Sequence, residues 1–173
     1  MSRETEIFVI YDERHKTHQT RKTDPCEVSE RVEAVKEALI KSGLEIIWKR
    51  PKIYEHPLIL RTHSRKMIEA LKKYSALAKP GDHIFTRFCR DFAYSTPITH
   101  GTFDQSLISA SCSIEAAEVI KNRSTKLAFS LSRPPGHHTG RDFYHGFCFL
   151  NNAALAARNL KEKAGKVAIL DFD

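Results

Sequence analysis

Cysteine is scarce and poorly spaced for cross-linking. Cys26, Cys89, Cys112 and Cys148 stand far apart with no Cys-x-x-Cys pair, which argues against a thiolate zinc knuckle and a disulfide framework, so the four read as reduced thiols. Long apolar runs are missing as well. No segment approaches the roughly 18 to 20 apolar residues of a membrane span, and the opening MSRETEIFVIYDERHK carries charge where a signal peptide keeps its hydrophobic stretch. Both absences point to cytoplasmic residence and no membrane partner. Internal repeats, low-complexity tracts and linker-like breaks are absent too, so the 173 residues read as one unit. A composition of 41% hydrophobic and 28% charged residues excludes disorder and suits a domain with a real core.

Acidic residues are outnumbered, which gives a net charge of +7. An excess of Lys and Arg invites a nucleic-acid partner, but here the basic residues are scattered through RHKTHQTRK, WKRPK and RNLKEKAGK and mixed with acids. No aromatic stacking pattern accompanies them. The expectation is a solvated basic surface and no nucleic acid.

What is present is a strand and helix alternation. EIFVIYD (6–12) predicts a strand; SERVEAVKEALIKSG (29–43) predicts a helix with Ser29 as N-cap and Val32, Val35, Leu39 and Ile40 on one face. SRKMIEALKKYSALA (64–78) has the same periodicity, and FDQSLISASCSIEAAEVI (103–120), rich in small and apolar residues, suits a helix buried against a sheet. KLAFSLS (126–132) predicts a strand, NNAALAARNLKEKA (151–164) a helix stopped by Gly165, and KVAILDFD (166–173) a closing strand. This order predicts an α/β domain with a parallel sheet flanked by helices, whose sites form at the carboxyl ends of strands.

Two features carry candidate chemistry. The loop SRPPGHHTGRDFYHGFCFLNN (132–152) sets His137 and His138 side by side after a Pro-Pro-Gly turn. Adjacent histidines in a loop are often only surface residues. Held at a strand end, however, they depress one another's protonation and leave one free as a base near neutral pH. Asp171 and Asp173 alternate along the predicted last strand, which puts both on one face; the alternative is that both are simply exposed. Cys148 offers a rival nucleophile just ahead of a helix, although its neighbours Phe147, Phe149 and Leu150 suggest a buried hydrophobe.

RPPGHHTGRDFYHGFCFLNNAALAA followed by VAILDFD resembles the histone deacetylase superfamily, and STPITHGTFDQSLISASCSIEAAEVI is most similar to its bacterial acetylpolyamine amidohydrolase-like branch. PCEVSERVEAVKEAL matches the family's entry into its first helix. The resemblance implies a partial arginase/deacetylase-type fold in three α/β/α layers, with residues 1–173 as the N-terminal portion of a single deacetylase-like domain. It implies a zinc-dependent amidohydrolase acting on a small acetylated amine or acetyl-lysine. His138 falls in the place of the general base and acid, with His137 as its electrostatic partner. Asp173 falls in that of the first zinc ligand. Asp171 matches the residue that supports His137 and helps hold a structural K+ ion. Gly146 and Phe147 match the substrate tunnel, and Arg31 an internal arginine beside an acetate-release cavity.

There are two departures. His145 stands where related sequences commonly carry glycine, which alters the tunnel rim. Family members also continue past Asp-x-Asp with His-His-Gly and a second half that supplies two further ligands and a tyrosine. The resemblance therefore leaves two alternatives: a deacetylase portion inactive alone, or a non-catalytic remnant or binding module. Self-association as a homo-oligomer stays open.

Overall fold

The computed structural model describes residues 6–18, 26–54, 57–90, 95–122 and 125–173. β1 (Ile7–Tyr11) is the centre of a three-stranded sheet in the order β2-β1-β3, with β2 (Ile46–Lys49) and β3 (Leu127–Leu131) both parallel to it. Val9 lies opposite Trp48 on one side and Phe129 on the other. Parallel neighbours need crossovers: α1 (Ser29–Lys41) makes the first, and α2 (Pro57–Thr62), α3 (Arg65–Leu77) and α4 (Thr102–Lys121) lie between β2 and β3. The chain is α/β, as expected, with three elements the sequence pattern did not indicate: a 3-10 helix (Glu13–Thr17), β2 and the short α2.

Two hydrophobic clusters divide the work. Val32 of α1 covers Val9 and Leu131 on one side of the sheet, joined by Ile7, Tyr11, Leu39 and Ile46. α4 packs against β1 and β3, and the larger core gathers Met67, Ile68 and Leu71 of α3, Phe103 and Ile114 of α4, and Tyr144, Phe149, Leu150 and Leu155. Ser106, Ser109, Ala110 and Ser111 are all buried; their small side chains let α4 approach its neighbours closely.

Three local expectations change. α1 begins at Ser29 with Val28 in the cap position, so the Ser29 hydroxyl donates to Glu30 instead of capping. Of the predicted apolar face, Val35 and Ile40 are 41% and 62% exposed, because the cluster beneath α1 takes only Val32 and Leu39. The third change concerns 166–173, which forms no strand and is exposed throughout, Phe172 to 92%. Strand conformation requires a hydrogen-bonded neighbour, and the described sheet places none beside this segment. α5 (Asn152–Ala164) does end at Gly165, with φ of +73°.

A buried ion pair ties the strand ends together. Arg133, two residues past β3, donates Nε to Glu27 Oε1 (2.9 Å) and Nη2 to the Glu27 carbonyl (2.8 Å), and donates Nη1 to the carbonyls of His15 (2.8 Å) and His18 (3.1 Å). Its remaining N–H reaches Glu27 Oε2. All five donors are used, and both side chains are buried. Breaking such a pair leaves an uncompensated charge. Glu27→Gln is therefore expected to cost about 3 kcal/mol in urea unfolding, and replacing Glu27 and Arg133 together by apolar residues should cost less than either single change.

His18 lies against this pair, its Nε2 3.7 Å from Glu27. Burial first, then the Arg133 cation, push its pKa down to about 3. The unfolded chain takes up that proton near pH 6.5 and the folded chain does not. The stability due to neutral His18 is thus whole above that pH and is lost as pH falls from about 6.5 toward about 3. A melting series across that window should show the decline, and His18→Asn should flatten it.

Candidate active site

The tandem histidines sit where the chain leaves β3. Gly136 passes so close to the start of α5 that a β-carbon there would lie 2.5 Å from both the Asn152 nitrogen and the Leu150 oxygen. The loop is then tied down: Thr139 N donates to Gly136 O (3.1 Å), Asn151 Nδ2 to Thr139 O (2.8 Å), and Asn152 Nδ2 to Pro134 O (3.2 Å). His137 lies beside both carboxylates of the chain's last residues. His137 Nδ1 is 3.0 Å from Asp171 Oδ2, and its Nε2 is 3.5 Å from Asp173 Oδ2. Alternation along 171–173 turns both carboxylates to one ring even without a strand partner. The Asp173 backbone N–H, and then the His137 ring, hold the Asp171 carboxyl below its usual range.

His138 lies between two rings tilted against its own, 4.1 Å from His137 and 4.9 Å from His145 by centroid. Its own desolvation, followed by its two imidazole neighbours, lowers its pKa from the ordinary histidine value. His145 also stacks on Phe143 at 6.0 Å, and the Arg90 guanidinium lies 4.2 Å from the Phe143 ring centre. Gly146 and Phe147 both take left-handed backbone, with φ of +55° and +65°. Phe147 sustains that unusual conformation through its N–H, which donates to Thr96 Oγ1 at 2.8 Å.

Beside His137 opens a cavity of about 460 Å³, walled by Ala128 and Ser130 of β3, Ala117 of α4, Ala156 of α5 and Asp173. A second, of about 250 Å³, lies next to the buried ion pair and is lined by Arg31, Glu27, Val32 and Leu131. Arg31 itself is exposed and donates to the Cys26 carbonyl (2.9 Å). The internal guanidinium in this region is that of Arg133. Cys148 is fully buried, and desolvation pushes its thiol up to about 12, which removes the thiolate that a nucleophile needs.

Sequence spacing gave no signal for Arg133, Glu27 or His63. The partners of His63 are Gly140 and Asn151, far along the chain, and its only local mark is that it precedes the Ser64 cap of α3. Among the site positions, Gly146 allows the sharpest check. A β-carbon there would lie 2.5 Å from His138 Cδ2, so Gly146→Ala should displace the His138 ring and change the ring-current shifts between His137 and His138 in an NMR spectrum of the histidine side chains.

This chain matches the histone deacetylase domain over residues 25–173. It is 50% identical over 82 residues to the acetylpolyamine amidohydrolase of Mycoplana ramosa, a match covering 47% of this chain and 24% of that protein. It is 32% identical over 200 residues to acetylpolyamine amidohydrolase 1 of Pseudomonas aeruginosa, covering 96% of this chain and 57% of the other. Its fold superposes on the crystal structure of the acetylpolyamine aminohydrolase from Burkholderia pseudomallei with a TM-score of 0.78 at 24% identity, over 91% of this chain and 53% of that one. The chain thus spans little more than half the length of these relatives, or less. With 25–173 of its 173 residues matched, the chain belongs to the histone deacetylase domain family.

Proposed function

We propose that the protein carrying this chain is a zinc-dependent deacetylase that hydrolyses the acetamide of small acetylated amines, and that this chain holds its proton-transfer half. The single observation behind the reading is the cluster itself: His138 packed against His137 at 4.1 Å between ring centroids, with His137 bridging Asp171 and Asp173. Amide hydrolysis needs a base for water and an acid for the leaving amine. His138, disfavoured from protonation by desolvation and two neighbouring rings, takes the proton from water and returns it to the amine nitrogen. His137 donates Nδ1–H to the Asp171 carboxylate, which orients its ring with Nε2 toward Asp173. The carbonyl of Gly146 and the ring of Phe147 form one wall for the acyl group.

Zinc fits these residues only in part. Asp173 is 86% exposed on its side chain, and among the described residues no three His, Cys, Asp or Glu side chains converge to hold a metal. A catalytic zinc takes three protein ligands. The remaining ligands, and any K+ held at Asp171, would have to come from outside the described residues, and no step above runs through either ion. No helix among the described residues is long and apolar enough to cross a membrane.

Three measurements test the proposal. The 173-residue chain alone should bind zinc only weakly in equilibrium dialysis and show no acetamide hydrolysis; tight stoichiometric zinc with turnover would show that it completes a site by itself, across a dimer for example. In a form that does turn over, His138→Ala should lower kcat by about 10²- to 10⁴-fold with the fold intact by circular dichroism, and undiminished turnover would reassign the base. Acetylputrescine should be turned over faster than an acetylated histone peptide. That last order rests on the likeness of residues 94–120 to the polyamine-directed branch, and the reverse order would defeat it.

A further inference from the structure

His63 lies between α2 and α3, wholly buried, and is used by nothing described so far. Its Nδ1 is 2.9 Å from the Gly140 carbonyl, and the Asn151 backbone N–H donates to its Nε2 at 3.0 Å. A carbonyl can only accept and a backbone N–H can only donate, so the ring has one consistent state: neutral, with its proton on Nδ1. Both contacts belong to the frame of the tandem-histidine loop. Gly140 closes that loop, and Asn151 starts α5 while gripping Thr139 O through Nδ2 and capping Ala154 N through Oδ1. The adjacent Ser64 N–H adds a third tie by donating to Arg141 O at 2.9 Å.

We propose that His63 is a positioning residue for the site: its neutral, Nδ1-protonated ring braces the loop bearing His137 and His138 against the first turn of α5. The role in catalysis rests on the deacetylase reading above; the bracing does not. Removing the ring would leave the Gly140 carbonyl and the Asn151 N–H unpaired in the interior, and the intervening loop would lose its fixed distance from α5. Protonation has a similar effect, since a second ring proton would point at the Asn151 N–H, donor against donor. Burial, and then the Arg141 cation, keep the ring from taking that proton against the opposite pull of the Gly140 carbonyl.

Two half-replacements separate the bonds. His63→Asn places an amide where Nδ1 stands and keeps the donor to Gly140 O; His63→Gln places one where Nε2 stands and keeps the acceptor for Asn151 N–H. In ¹⁵N spectra of this chain, wild-type His63 should show a protonated Nδ1 and a bare Nε2, and should stay neutral at pH values where an ordinary histidine already takes up its second proton. His63→Asn should speed exchange of the Asn151 amide by about five- to tenfold, and His63→Gln should not. Both variants should shift the His137 and His138 ring resonances. An Nε2-protonated ring, an ordinary titration, or unmoved His137 and His138 signals in both variants would overturn the proposal, and a lowered melting temperature with those signals unmoved would reduce His63 to a packing residue. In a form that turns over, both variants should lower kcat about tenfold with KM unchanged. Absence of turnover in the wild type would sink the deacetylase reading while leaving the ring measurements to judge the brace.

Discussion

The Arg133 guanidinium is the point through which separate parts of the chain are held in one arrangement. It emerges two residues past β3, bonds the turn after β1 through the carbonyls of His15 and His18, and bonds the lead-in to α1 through Glu27. Three segments remote in sequence are thereby fixed at the carboxyl ends of two parallel strands, and the Pro-Pro-Gly turn to the histidines starts from that fixed point. A buried pair of this kind contributes little net stability compared with an apolar replacement, but it is costly to half-break. Its value here is geometric: it sets where the loop begins.

The other end of the loop is set by α5. Asn151 and Asn152 reach back to Thr139 and Pro134, and Gly136 has no room for a side chain against them. Between two anchored ends the histidines have few conformations left, and the packing of His138 against Gly146, His137 and His145 removes most of those. Low protonation of His138 follows from the same crowding. The site is thus rigid on the histidine side and open on the carboxylate side, where 166–173 lies exposed with Leu170 and Phe172 in solvent.

That openness has a physical meaning for the sheet. Among the described strands β3 has β1 as its only neighbour, and Leu127 and Phe129 are 57% and 44% exposed. An apolar strand edge of this kind, next to a cavity lined by alanine and serine, is a surface that folded proteins ordinarily cover. It accords with a chain that spans little more than half the length of its relatives, or less.

The sequence by itself determined the α/β class, the buried character of α4, the helix stop at Gly165 and the adjacency of His137 with His138. Each of these rests on local periodicity, on a cap residue or on chain connectivity, all of which act within a few residues. Its alternation also put Asp171 and Asp173 on one side. Tertiary structure alone decided that 166–173 has no partner among the described strands, that Val35 and Ile40 stay in solvent, and that Arg133 is buried while Arg31 is exposed. It likewise decided that Glu27, His18 and His63 surround the site. A buried charge or ring is specified by partners tens of residues away, and whether a strand exists depends on a neighbour's hydrogen bonds, so neither can be read from the segment that contains it.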